Sequence, residues 1–145
     1  MISVIGITFT DRNKIGDFVW MCTQSEYNDS LFIFNDNEER HNSNVRGKGN
    51  AVMRQYNKYS NLTIPKSAGI PTGTFKNHGY KKLDDHCKKI IDNAIDEIIE
   101  LIHLHHYKRI FYSADENGKL GTNLFIVGDD VTTYITGKLN NLKNI

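Results

Sequence analysis

The stretch from residue 31 to 56 constrains the fold most. It runs Leu-Phe-Ile-Phe, then a long polar segment beginning Asn-Asp-Asn-Glu-Glu-Arg-His, then Gly47-Lys48-Gly49-Asn50, then Ala-Val-Met-Arg-Gln-Tyr. Four apolar residues in a row suit a strand covered on both faces, as in a parallel sheet, because a half-exposed strand would alternate. A polar loop must follow, and then a helix start. Open parallel sheets bind ligands where their strands end at the carboxyl side. Gly47 and Gly49 would let backbone amides approach an anion at the start of the next helix. Gly-X-Gly alone is a weak signal; a strand before it and a helix after it give it weight.

The remaining elements fall on either side. Residues 2–9 read as a first strand, and 15–23 as a short helix with Ile15, Phe18, Val19 and Cys22 at helical spacing. Residues 49–59 read as a helix. Residues 67–72 form a short extended segment whose Pro71 suits a strand end or edge. The clearest helix covers 83–105, where Leu83, Cys87, Ile91, Ala94, Ile98 and Ile102 make one broad apolar face. Asp84 and Asp85 belong to its first turn and His103–His106 to its end. A strand over 108–112 follows, then a polar, glycine-bearing loop over 113–123. Residues 124–127 could be strand or helix, and 131–142 read as a closing helix. Strands and helices alternate with no repeat or linker. The expected fold is a single α/β domain spanning 1–145, with a mixed or mostly parallel sheet and helices on both faces.

A chain of 145 residues supports one domain with a real core. The net charge of +1 creates no global field toward nucleic acid or a membrane, so neither is expected as a partner. There is no apolar run of membrane-spanning length, and the N-terminal residues lack signal-peptide features. A cytoplasmic protein is expected. Cys22 and Cys87 lack metal spacing and read as reduced packing thiols. The richness in Asn, Lys and Ile matches an AT-rich genome, such as many phages have.

Two loops end buried strands and should open at one sheet edge as one cleft. The first offers Asn35, Asp36, Asn37, Gly47, Gly49 and Asn50; the second offers Ser113, Asp115, Gly118, Gly121, Thr122 and Asn123. Amides read ribose hydroxyls and base edges, while glycine amides and hydroxyls hold phosphates. The stretch 69–74 is a third contributor or a plain core strand and turn. Competing chemistry is weaker. His103, His105 and His106 fit no standard metal spacing. Ser113 is in no nucleophile elbow. His86 beside Cys87 on a helix does not face it. Asp36 and Asp115 are the candidate general bases, with Glu38 and Glu39 beside them.

The order of these segments resembles a small macro domain, the ADP-ribose-binding α/β fold. Macro domains place an Asn-rich turn after a buried strand and then a glycine-rich entry to a helix, as in residues 31–37 and 47–51. A late strand then leads into a glycine-bearing phosphate loop, as in 110–122. Residues 67–73 also resemble a Gly-Ile-Pro-Thr stretch of macro-like and SLOG-like phage and bacterial proteins. The resemblance implies a three-layer macro-like domain that binds a small-molecule nucleotide, of the ADP-ribose or cyclic type; no cofactor or metal is expected. It implies a binder that sequesters a nucleotide immune signal, with a hydrolase of an ADP-ribosyl or phosphoester bond as the alternative. The usual Asn-Ala-Ala-Asn turn is here Asn35-Asp36-Asn37, and Lys119-Leu120 stands where an aromatic is usual. Those differences count against de-ADP-ribosylation more than against binding. No coupled acid–base pair is visible, which favours the binder. The sequence leaves the oligomeric state open.

Overall fold

The computed structural model describes residues 2–121 and 126–145. Four strands form one sheet, β1 (Ser3–Ile7), β2 (Ser30–Asp36), β3 (Ser67–Pro71) and β4 (Arg109–Ser113), in the order β1-β4-β2-β3. Every pairing is parallel, so the sheet is parallel throughout rather than mixed. β2 and β4 occupy the centre, where both faces are buried. β3 lies at the edge and ends on Pro71, where a missing amide hydrogen costs no ladder bond.

Among the described residues three α-helices accompany the sheet: α1 (Phe18–Met21), α2 (Asp85–His105) and α3 (Asp129–Asn141). Alternation along β2 sorts the core into two layers. Leu31 and Ile33 join Ile70, Ile110 and Tyr112 against Ile91, Ala94 and Ile98 of α2 and Val131, Ile135 and Leu139 of α3. Phe32 and Phe34 join Phe111 against Phe18 and Met21 of α1 and Met53. On that second face Phe32 and Phe111 stack with ring centroids 5.4 Å apart. Cys87 is in the first layer and Cys22 in the second, both as free buried thiols. Burial pushes the Cys87 thiol up to about 11, so it is protonated and inert near neutral pH.

Two elements differ from the sequence expectation. The helix expected over 49–59 is a 3-10 helix, Gly49–Tyr56. Asp84 is the N-cap of α2 rather than a first-turn residue, its carboxylate accepting from the Cys87 amide at 2.9 Å. At the other end His106 closes α2 in the left-handed conformation. Of the ambiguous 124–127 stretch, residues 124 and 125 lie outside the described residues, and 126 and 127 belong to no regular element. No helix among the described residues is long and apolar enough to cross a membrane.

Candidate functional site

Parallel pairing brings the ends of all four strands to one edge. Asp36 pairs with Pro71 in the β2–β3 ladder, and Ile7 with Ser113 in the β1–β4 ladder. Beyond that edge lies a cleft of about 370 Å³, in the size range of small-ligand sites. Its lining includes Asn35, Asp36, Asn37, Gly47 and Asn50 from the expected first loop.

The amide of Asn50 joins the two expected loops. Its Nδ2 donates to Asn35 Oδ1 at 3.3 Å and to the Gly121 carbonyl at 3.2 Å. Asn35 Nδ2 in turn donates to Thr72 Oγ1 at 3.4 Å, which ties in the 69–74 stretch. Asn37 shapes the rim: its side chain accepts from the Arg40 amide at 2.8 Å, a local turn that Asn favours.

Asp36 forms the floor, and it is only 2 % exposed. Its Oδ1 accepts from Arg54 Nε at 2.9 Å, Arg54 Nη2 at 2.5 Å and the Asn37 amide at 2.8 Å. Its Oδ2 lies 3.3 Å from His41 Nδ1, and His41 Nε2 lies 3.1 Å from Glu97 on α2. Lys58 completes the line at 3.1 Å from the same Glu97. Burial alone would lower the His41 pKa. Hydrogen bonds to Asp36 and Glu97 outweigh it and hold the imidazole up to about 9. At neutral pH the Asp36 charge is therefore flanked by two cations, and the floor presents no surplus negative charge.

Other expected residues serve the frame. Gly49 does not line the cleft; it turns the chain into the 3-10 helix at φ 59°, a left-handed conformation that glycine adopts cheaply. Gly69 leaves room for the Asp36 carboxylate, whose Oδ2 would be 2.5 Å from any Cβ there. In the second loop, Ser113 is buried and its carbonyl accepts from the Gly121 amide at 3.1 Å. Asp115 Oδ1 accepts from the amides of Asn117 and Lys119, an internal brace for the turn. The Gly118 carbonyl accepts from the Tyr112 hydroxyl at 2.7 Å. Ser113, Asp115, Gly118 and Gly121 thus stand behind the cleft rather than in its wall. Thr122 and Asn123 lie outside the described residues.

The cleft also holds residues that the sequence reading passed over: Arg40, Arg46 and Lys48 on the rim, Arg54 in the floor, and Phe75 and His78. The Arg40 guanidinium stands 5.7 Å from the Phe75 ring centroid. None of Arg40, Arg46 and Lys48 forms an ion pair among the described residues. A signal for them exists in the sequence. Between Glu39 and Asp84 the chain has nine of its eighteen Lys and Arg and none of its seventeen Asp and Glu. The near-zero total charge conceals this segregation.

The described residues contain no cluster of His, Cys, Asp and Glu arranged to hold a metal ion. The chain matches no protein-family model, no characterised protein and no solved structure.

Proposed function

We propose that this cleft binds a nucleotide of the ADP-ribose or cyclic type, and that the protein sequesters such a ligand, a nucleotide immune signal of a phage host being one fitting case. The observation that carries the reading is the pairing of charge and shape. Amides from Asn35, Asn37 and Asn50 line the cleft, Arg40, Arg46 and Lys48 stand at its rim with no ion pair among the described residues, and the half-exposed Phe75 ring lies beside Arg40. Amides suit ribose hydroxyls and base edges, cations suit phosphates, and an exposed ring suits a base. Asp36, the one carboxylate in the lining, is already matched by Arg54 and His41 and does not repel an anion.

The binder is preferred over the hydrolase because both oxygens of Asp36 are engaged, leaving it poorly disposed as a general base. The test is calorimetric titration with ADP-ribose, NAD and cyclic nucleotides, followed by denaturation and analysis of the released species. Saturable binding that Arg46→Glu weakens, with the ligand recovered unchanged, is expected. No binding of any of these nucleotides would overturn the reading.

A further inference from the structure

We infer that the nucleotide recognised by the cleft can be the end of a single-stranded nucleic acid, whose following phosphates run along an adjoining basic groove. The inference rests on the nucleotide reading of the cleft and extends it. It begins from the acid-free segment between Glu39 and Asp84 and where its nine cations go. Three serve the fold: Arg54 pairs with Asp36, Lys58 with Glu97, and Lys66 donates to the Cys22 carbonyl. The other six divide between two adjacent hollows. Arg40, Arg46 and Lys48 border the cleft. Lys76, Lys81 and Lys82 border a second, open groove formed by residues 76–82 and Asp84.

The two hollows are neighbours: His78 lines both, and Phe75 in the cleft is followed directly by Lys76 in the groove. None of the six cations is ion-paired among the described residues. Lys81 donates to the Ile126 carbonyl, which leaves its charge uncompensated. Two acids border this track, Glu39 at the Phe75 amide and Asp84 in the groove lining, against its six cations. Glu39 accepts from the Phe75 amide, Glu38 from the Tyr80 hydroxyl with His86 at its other oxygen, and Asp84 from the Cys87 amide. Phe75 is 54 % exposed where cleft and groove meet.

A line of cations with an exposed ring along it is the arrangement that tracks a phosphate backbone and stacks a base. A free mononucleotide fills the cleft and leaves the lysines of the groove unused; a strand uses both. A duplex holds its bases paired and stacked and would have to fray to put one into the cleft, so the fit is to a single strand.

Fluorescence anisotropy tests this with four probes: labelled ADP, an adenosine octanucleotide as RNA, the same sequence as DNA, and a hairpin duplex. The two single-stranded probes should bind at least about tenfold more tightly than ADP, with a steeper salt dependence, about 0.7 of a log unit per log unit of salt for each added phosphate contact. Lys76→Glu combined with Lys82→Glu, both outside the cleft, should remove that gain and leave ADP binding and the thermal transition unchanged. ADP should displace the strand. If ADP binds and the octanucleotide gains nothing, the inference falls and the nucleotide reading stands. If the octanucleotide binds and ADP neither binds nor displaces it, the strand end is not in the cleft and the inference is wrong. Equal binding of the hairpin overturns single-strand preference. Failure of all four probes takes down the nucleotide reading and this inference together.

Discussion

Arg54 grips Asp36 through two nitrogens, Nε at 2.9 Å and Nη2 at 2.5 Å from one carboxylate oxygen, with both side chains almost wholly removed from solvent. The pair couples the end of β2 to the 3-10 helix and so fixes the distance across the cleft floor. Burying both charges is costly, and removing one partner strands the other. Arg54→Met should therefore destabilise the fold by about 3–5 kcal/mol. Asp36→Asn, which keeps the shape but leaves Arg54 uncompensated, should also cost stability. Urea denaturation of both variants checks this; a change within about 0.5 kcal/mol would show the pair to be dispensable.

His41 gives the fold a pH dependence whose sign is fixed by its position between Asp36 and Glu97. Its folded pKa is raised from 6.5 to about 9. Below about pH 6.5 the imidazole is charged in folded and unfolded chains, and its contribution is fully present. Between about 6.5 and 9 the unfolded chain gives up the proton while the folded chain keeps it, so stability declines as pH rises. The loss is complete above about 9 and amounts to about 3 kcal/mol at most. Unfolding free energies measured from pH 6 to 10 should show this decline in the parent protein and a flatter profile in His41→Gln. A stability rising with pH across that window would contradict the ion network.

Arg46→Glu and Lys48→Glu reverse charge at two exposed rim positions that make no ion pair among the described residues. Each should weaken nucleotide binding by about tenfold or more, since a favourable phosphate contact is replaced by a repulsive one. Neither should move the thermal transition by more than a degree or two, because exposed charges contribute little to stability. Binding lost together with the fold would place these residues in the frame instead.

How much of this was legible in sequence differs by element. The central strands and α2 were readable because their apolar residues follow the local period: four in a row for β2, every third or fourth for α2. The joining of the two loops followed from parallel topology. The role of Arg54 was not legible. Its partner Asp36 is eighteen positions away, and nothing local to a Met-Arg-Gln run marks an arginine that turns inward. The 3-10 geometry was equally hidden, since Gly49–Tyr56 presents a pattern that an α-helix would also satisfy. Asp115 was visible as an acid in a polar loop, but not as the brace of its own turn, which depends on backbone amides two and four residues ahead. The rim cations were within reach had charge been counted by segment rather than over the whole chain.

The two glycines at the start of the 3-10 helix should respond differently. At Gly47 a Cβ would come within 2.7 Å of the Ala51 Cβ and 3.0 Å of Arg54 Nη1. Gly47→Ala should push Arg54 off Asp36 and reduce both stability, by about 1–3 kcal/mol, and nucleotide affinity. Gly49→Val places a β-branched residue at φ 59°, so strain of about 1–3 kcal/mol is expected at the turn. Gly49 lies outside the cleft wall, so any loss of affinity should track the loss of fold. Thermal melts and titrations run on the same samples separate the two effects. A Gly49→Val protein that melts normally but binds poorly would put that backbone in the site after all.

Asp115 stands behind the cleft wall, and its substitution tests whether the ligand is held or cleaved. Asp36 is a poor probe of chemistry, because its substitution disturbs the fold through Arg54. Asp115 Oδ1 accepts from two turn amides, and Oδ2 has no hydrogen-bond partner among the described residues. Oδ2 sits beside Gly121, whose carbonyl receives the Asn50 amide from the cleft. A sequestering protein releases its nucleotide intact on denaturation and forms no product when the nucleotide is in excess. That outcome is expected, since the amides in the cleft hydrogen-bond well and transfer protons poorly near neutral pH. Asp115→Asn keeps an oxygen for the turn and removes the one carboxylate oxygen of the candidate pair that has no hydrogen-bond partner among the described residues. It should leave binding and stability within twofold and about 1 kcal/mol of the parent. Chromatography of the nucleotide after prolonged incubation with substoichiometric protein decides the matter. Turnover by the parent, abolished in Asp115→Asn with binding retained, would make Asp115 the base and the protein a hydrolase.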